Sequence, residues 1–509
     1  MNVELTNLKL FGRGKDLFDI SVSNGIISSI YPFGAIKSKE NAIDLEGAWL
    51  APSFVDAHVH TTNTGVALEG LDLSSIKSYA EAKSLFTTIP KSDEIFIGHG
   101  WDDSKWDRKA DTELFSANCG PIYLSRIDAH SALISPMLAK QIESFQSQLG
   151  WSEILPVTQD AHGIAREFAY NSLTEKQRKK FIYSALSTFA ANGISAIEEM
   201  AGPKISSYLD AQTVINTAND FGMELKIWWG ELFGFEKAKS LSAYGCGGDL
   251  FIDGSLGSRT ALISTKYDDG TSGRQYISEA DCVSHILQCY ENGMPTSFHV
   301  IGDQAIEIAL SSFSKAREKL GSKYSALSHR LEHAEMLTDK NILQAINLGI
   351  TLSMQPQFDA LWSGQDKMYE DRIGDNWFNM NPFRKILRNG GTLIFSSDSP
   401  VTSVNPWETI KAAINLSNSE NAISYRAAFK AHTDARNPAK DISPGNVANF
   451  AIWEVDQWQK IESTDSRDKW STDARSYPTD FPSIDVFPKC LATVSNGQII
   501  HSNLDGLVA

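Results

Sequence analysis

The residues of this chain that could do chemistry are histidines and carboxylates at the ends of apolar runs. His58 and His60 stand two positions apart in "LAPSFVDAHVHTT". In a strand, residues i and i+2 face the same side, so both imidazoles would converge just past the strand end. Imidazole is the commonest side-chain metal ligand. His299 closes a similar run in "TSFHVIG", His333 in "HRLEHAE" and Asp398 in "TLIFSSDS"; Glu198, Glu199 and Asp253 also fall at run ends. One such histidine is as often a satisfied core residue. Four of them with an aspartate, at the ends of four runs, point to a divalent metal. Nitrogen and carboxylate donors suit zinc, with manganese and iron as alternatives.

These residues need a scaffold that gathers strand ends. From Asp56 to about 430, short apolar strands alternate with amphipathic helical stretches, the pattern of βα units in a parallel sheet. The candidate strands are "SFVDAHV", "ISAIEEM", "ELKIWWGEL", "DLFIDGS", "TSFHVIG", "HRLEHAE", "ITLSMQP" and "TLIFSSDS". They predict an α/β fold, a (β/α)8 TIM-type barrel over 55–430, whose active site lies at the strands' C-terminal ends. The gap after the first strand is too long for one helix, so an inserted α/β subdomain is expected over about 62–180. Both ends of the chain, 1–54 and 431–509, read as short strands with hairpin turns at Asn24-Gly25 and Asn496-Gly497. They predict a β-structure shared by the two termini. The polar, proline-containing stretch 463–483 is expected to be an exposed loop.

Composition narrows the function. With 509 residues and a net charge of -16, the chain lacks the basic surface that nucleic acid or an anionic membrane requires. No apolar run is long enough to span a bilayer and no signal peptide is visible. The five cysteines show no paired spacing, which fits the reducing cytoplasm. A small-molecule substrate is the expected partner, and a homodimer is left open. The loop "DGSLGSRTA" is glycine-rich, yet no Gly-Lys-Ser/Thr or GxGxxG accompanies it, so a nucleotide cradle is not expected. Its Arg259 could hold a carbonyl or carboxylate at the mouth of the site. Trp101 in "GHGWDD" could wall the pocket, and Gln355, Phe358 and Trp362 in "SMQPQFDALW" could shape its substrate side.

Taken together, "APSFVDAHVH", "GHGWDDSKW", "RIDAHSALIS", "DGSLGSRTA", "HVIGD", "RLEHAE", "SSDSPV" and "ISPGNVANFAIWE" resemble the amidohydrolase superfamily. The finer likeness is to amidohydrolase family 3, which includes N-substituted formamide deformylase-like amidases. That resemblance implies a metal-dependent hydrolase barrel beside a composite β-sandwich. It implies His58, His60, His299 and His333 as metal ligands and Asp398 as both ligand and proton acceptor for the attacking water. Many relatives carry a lysine before the "DG", carboxylated in binuclear members; here Asp249 stands in its place, in "GGDLFIDGS". Asp249 as a shorter bridging carboxylate, Glu199 as the bridge, and a single metal with His333 orienting water are the alternatives. The implied reaction is hydrolysis of a non-peptide C–N bond in a small amide or N-acyl, including N-formyl, amine. Hydrolytic deamination of a heterocycle is the second reading, and a non-catalytic small-molecule binding protein the third. Five retained ligand-type residues count against the third, because a binding module needs no general base.

Overall fold

The computed structural model describes residues 1–35, 42–89, 91–104, 106–116, 119–127, 131–433, 440–460 and 480–507. They form two compact units: Met1–His60 with Leu186–Gly202 and Ala218–Ala509, and Thr61–Ala185 with Pro203–Thr217.

In the first unit, parallel strands stand in a ring. Phe54–Val59 pairs with Ile194–Ala201, and that strand with Glu224–Trp229. Ser297–Val300, Arg330–His333, Thr351–Met354 and Thr392–Phe395 pair in that order. Ring closure is carried by a parallel bridge between Val59 and Ser399. Two backbone bonds reinforce it, from the N–H of Asp398 to the carbonyl of His58 and from the N–H of His60 to that of Ser399, each 2.9 Å. Two of the helices between these strands start on side-chain caps. Ser278 accepts the amide of Asp281 ahead of Glu279–Asn292, which ends at Gly293 with φ 66°. Thr338 and Asn341 form a reciprocal capping box on Asp339–Asn347.

The fourth position of the ring departs from expectation. "DLFIDGS" is not a regular strand; the segment makes single parallel bridges, Gly245 to Trp228 and Phe251 to His299. Glycines explain this. A Cβ at Gly245 would fall 2.3 Å from the Trp228 ring, and one at Gly247 would fall 2.3 Å from the backbone nitrogen of Ser297. Gly248 has φ +92°, outside the strand region. The backbone is thereby threaded tightly between its neighbours, at the cost of a hydrogen-bonded ladder.

The two termini share one sheet of eight strands. Its order runs Gln498–Ser502, Lys489–Ser495, Phe450–Glu454, Trp49–Pro52, Val3–Leu10, Leu17–Ser23, Ile26–Pro32, with Ile43–Asp44 also on Val3–Leu10. Both expected hairpin turns are present, with positive φ at Asn24, Gly25, Asn496 and Gly497, as the two-residue hairpin requires. Leu5, Leu8, Ile20, Leu50, Phe450 and Val494 form part of the apolar core on this sheet. Among the described residues, the terminal β-structure is this single layer plus a two-stranded ribbon of Trp458–Lys460 and Asp480–Pro482. Most of the stretch 463–483 lies outside the described residues.

The second unit has its own five-stranded sheet, ordered Val157–Thr158, Ser131–Ile134, Ile122–Arg126, Phe96–Trp101, Leu71–Asp72. A fully buried ion pair, Arg178 to Asp210 at 2.6 Å, joins its two chain segments. The expected subdomain over 62–180 thus compares with a unit that runs through Ala185 and adds Pro203–Thr217.

Because Gly247 has no room for a side chain, Gly247→Ala should cost about 1–3 kcal/mol of stability, the usual penalty for overpacking. Urea unfolding of the two proteins measures it; an unchanged midpoint would refute the tight-threading account.

Candidate metal centre

Four imidazoles and two carboxylates meet at the C-terminal ends of the ring strands. His58 is the fifth residue of Phe54–Val59 and His60 follows the strand, so the two rings project to one side, 5.4 Å apart. His299 comes from Ser297–Val300 and His333 from Arg330–His333. Asp398 follows Thr392–Phe395, and Asp249 comes from the glycine-rich fourth segment. All six are buried.

Asp249 lies between the imidazole pairs. Its Oδ2 is 3.5 Å from His58 Nε2 and 3.3 Å from His60 Nε2. Its Oδ1 is 3.3 Å from His299 Nδ1 and 3.6 Å from His333 Nε2. Asp398 Oδ1 is 3.4 Å from His58 Nε2 and 3.1 Å from His60 Nε2. Three overlapping triads result, each with ligand atoms within 4.8 Å of one another: His58, His60, Asp249; His58, His333, Asp398; and Asp249, His299, His333.

The outer nitrogen of every imidazole faces an acceptor. His58 Nδ1 meets Glu332 at 3.0 Å, His60 Nδ1 the carbonyl of Met200 at 3.1 Å, and His333 Nδ1 the Oε1 of Gln355 at 2.9 Å. His299 is reversed, with Nε2 3.3 Å from the carbonyl of Gly254. A proton on each outer nitrogen leaves the inner lone pair aimed into the cluster, the arrangement that metal-bound histidines adopt. His58 Nε2, His333 Nε2 and Asp398 Oδ1 are buried there without a hydrogen bond. Buried polar atoms are rarely left so. A divalent cation fits this donor set, and these atoms are the ones it would satisfy.

The electrostatics agree. Burial favours the neutral form of Asp249, but the charge of His58 and the close approach of His299 and His333 overcome it and hold the carboxyl well below its ordinary range. Asp398 is lowered likewise, against its burial, by His58 and His60. For His60, burial pulls the pKa down, yet Asp249 and Asp398 push it up to about 10. His58 is also raised, by the same two carboxylates acting against burial. Protons thus balance the carboxylates when no cation does. Backbone conformation adds a further mark: His333, Ala334 and Asp398 have φ of 66°, 47° and 53°. Such left-handed non-glycine residues cluster at functional sites.

Other expected site residues lie elsewhere or act differently. Gln355 is not left to meet a substrate: its Oε1 faces His333 and its amide donates to Ser396 at 2.9 Å, so it fixes the His333 ring. The Arg259 guanidinium is held by both oxygens of Asp268, at 2.7 and 2.8 Å, rather than turned to a carbonyl. Trp101 is buried in the core of the second unit, and its indole N–H donates to the carbonyl of Leu124. Asp253 clips loops together by accepting the amides of Ile301, Gly302 and Leu262. Glu198 lies in mid-strand, bonded to Trp228 and Arg330, and neither it nor Glu199 joins a ligand group among the described residues. Phe358 does stand beside the centre, stacked on His333 at 6.1 Å and followed by Trp362 at 4.8 Å. Sequence reasoning missed Glu332 and Asp56. Asp56 accepts the amide and hydroxyl of Ser397 at 2.9 and 2.6 Å, anchoring the turn that carries Asp398. Its signal was visible: Asp56, His58 and His60 alternate on one face.

A ring of parallel strands with buried imidazoles and carboxylates at its C-terminal ends defines a metal-dependent hydrolase of the barrel type. Residues 41–501 match the sequence description of the Amidohydrolase family, and the chain belongs to that family. It is 25% identical to the Putative amidohydrolase YtcJ of Bacillus subtilis, over 80% of this chain and 82% of that one. It is 23% identical to Protein LONG AFTER FAR-RED 3 of Arabidopsis thaliana, over 87% and 85%. Among solved structures it is similar to an uncharacterized metal-dependent hydrolase from Pyrococcus furiosus, with TM-score 0.72 and 23% identity, covering 89% of this chain and 98% of that one. The chain is thus an enzyme, a hydrolase of carbon–nitrogen bonds.

Two outcomes follow from the geometry. His58→Ala removes a donor that no neighbour replaces, so the purified variant should lose metal and activity together; full occupancy by elemental analysis would refute the ligand assignment. Metal must also displace the proton that His60 otherwise keeps up to about pH 10. Apparent metal affinity should therefore rise as pH rises toward that value, with proton release at pH 7. Calorimetry in buffers of differing ionisation heat reads the release; uptake with no proton exchanged would contradict the balance described.

Proposed function

We propose that the chain hydrolyses the C–N bond of a small amide or N-acyl amine, N-formyl amines included, at a centre built for two divalent cations. The observation that carries the reading is the placement of Asp249, one oxygen toward His58 and His60 and the other toward His299 and His333. His58, His60, Asp398 and Asp249 would hold one cation, and His299, His333 and Asp249 the other. The donor set favours zinc. Five cysteines without a disulfide support a reducing compartment, the cytoplasm.

Bound there, divalent cations polarise a carbonyl and make a water acidic near neutral pH. Asp398 then has two tasks. Its carboxylate accepts the proton that the water loses as it adds to the carbonyl carbon, and it returns that proton to the nitrogen as the C–N bond breaks. The products are an amine and a carboxylic acid, formic acid from a formyl group. Gln355 fixes the ring of His333 through Nδ1. Phe358 and Trp362 line one side with aromatic surface, which suits an apolar group on the substrate.

Asp398→Asn keeps an oxygen near the ligands but cannot carry a proton at neutral pH. Its kcat on N-formyl or N-acyl amines should fall by about 10²–10⁴-fold with KM little changed. Retention of more than roughly a tenth of kcat would assign the base to another group. The same substrate screen decides the reaction: release of amine with acid supports the reading, and release of ammonia from a heterocycle replaces it with deamination.

A further inference from the structure

Beneath the metal ligands, the interior of the ring holds charge where such barrels ordinarily pack branched apolar side chains. Glu332 and Arg330 are buried there. Glu332 Oε2 receives His58 Nδ1 at 3.0 Å and the Arg330 guanidinium at 2.7 Å, and its Oε1 receives the hydroxyl of Ser297 at 2.5 Å. Arg330 also donates to the carbonyl of Ala57 at 2.8 Å, to Ser353 at 3.0 Å and to Glu198. We propose that Glu332 and Arg330 are positioning residues for the metal centre: Glu332 fixes the His58 ring with Nε2 presented to the cation, and Arg330 holds the Glu332 carboxylate in place.

Several observations carry this. Burying charges costs more than burying apolar groups of the same size, so an interior ion cluster is weakly explained by stability. Every bond of Glu332 restricts its carboxylate to one orientation, and that orientation meets Nδ1 of His58. Arg330 further bonds the carbonyl of Ala57, the residue just before His58, so one guanidinium ties both the backbone and the ring partner of that ligand. His58 Nε2 lies near both carboxylates, Asp249 at 3.5 Å and Asp398 at 3.4 Å. A flipped ring would take Nε2 away from both, and the other tautomer would put a proton on Nε2 in place of its lone pair. Carboxylates behind metal-bound histidines act this way, and their loss typically weakens metal binding roughly 10–100-fold.

The inference rests on the metal centre proposed above, not on the substrate, and metal binding rather than turnover tests it. Glu332→Gln keeps the shape and removes the charge; the double variant Glu332→Gln with Arg330→Met removes the counter-charge as well, should the single variant not fold. Metal-free protein, folded by circular dichroism, is titrated with zinc against a chromophoric chelator and with cobalt(II) for its visible spectrum. The expected result is a roughly 10–100-fold weaker zinc affinity with altered cobalt bands. A folded variant with wild-type affinity and wild-type bands would overturn the proposal, because a merely structural role shifts only the melting temperature. Wild-type chain carrying ring-15N histidine and zinc supplies a measurement that needs no variant: the His58 proton is expected on Nδ1, and a proton on Nε2 overturns the assignment. A failed amide screen would leave these readouts intact.

Discussion

The carboxylate of Asp249 is buried among four imidazoles, and that placement constrains everything around it. A buried carboxylate is tolerated only beside compensating positive charge, so the histidines must either hold protons or hold cations. For cations to serve, each inner lone pair must point inward, and each outer N–H must then find an acceptor of its own. The structure supplies those acceptors one by one: Glu332, the Met200 carbonyl, Gln355 and the Gly254 carbonyl. The left-handed backbone at His333 and Asp398 belongs to the same constraint. The chain turns sharply there so that both side chains reach inward instead of continuing the strand.

The ring must close for this to work. His58 and His60 leave the first strand and Asp398 follows the last, and they meet because Val59 and Ser399 are bridged. Closure is secured at side-chain level by Asp56 on Ser397. Arg330, reaching from the sixth position to Ala57 on the first, ties across the interior. Site and scaffold are therefore coupled: the interactions that shut the barrel also set the geometry of the histidine and aspartate cluster.

What the sequence made legible was periodic or local. Alternation in "FVDAHVH" placed two histidines on one face, and Asn-Gly marked both hairpins where φ is positive. Runs such as "TSFHV" and "RLEH" coincide with strands that carry a histidine at or next to their C-terminal end. What stayed hidden depends on contacts between distant residues. Gln355 and Arg259 are chemically able to bind a substrate, but His333 and Asp268 occupy them, and no local pattern announces a partner 22 or 9 positions away. "DLFIDGS" read as a strand because its apolar pattern is strand-like. The glycines just ahead of it, with Trp228 and Ser297 pressed against them, decided otherwise. Arg330 and Glu332 alternate on the interior face of their strand, a signal that a search for strand ends passes over.

The irregular fourth segment and the identity of residue 249 explain each other. An aspartate carboxyl stands only two bonds from Cα, so it can lie between two imidazole pairs only if its backbone comes close to them. A regular strand with side chains at 245, 247 and 248 could not approach so near, since the Cβ atoms would strike Trp228, Ser297 and Met200. Glycine at those positions lets the main chain move inward, and the short carboxylate follows. A lysine that bridges through a carboxylated amine reaches the same place from farther out, and it depends on carbon dioxide to become anionic. Asp249 carries its charge in the side chain itself. In this chain the backbone supplies the reach that a long side chain would otherwise provide, and loss of strand regularity is the structural consequence.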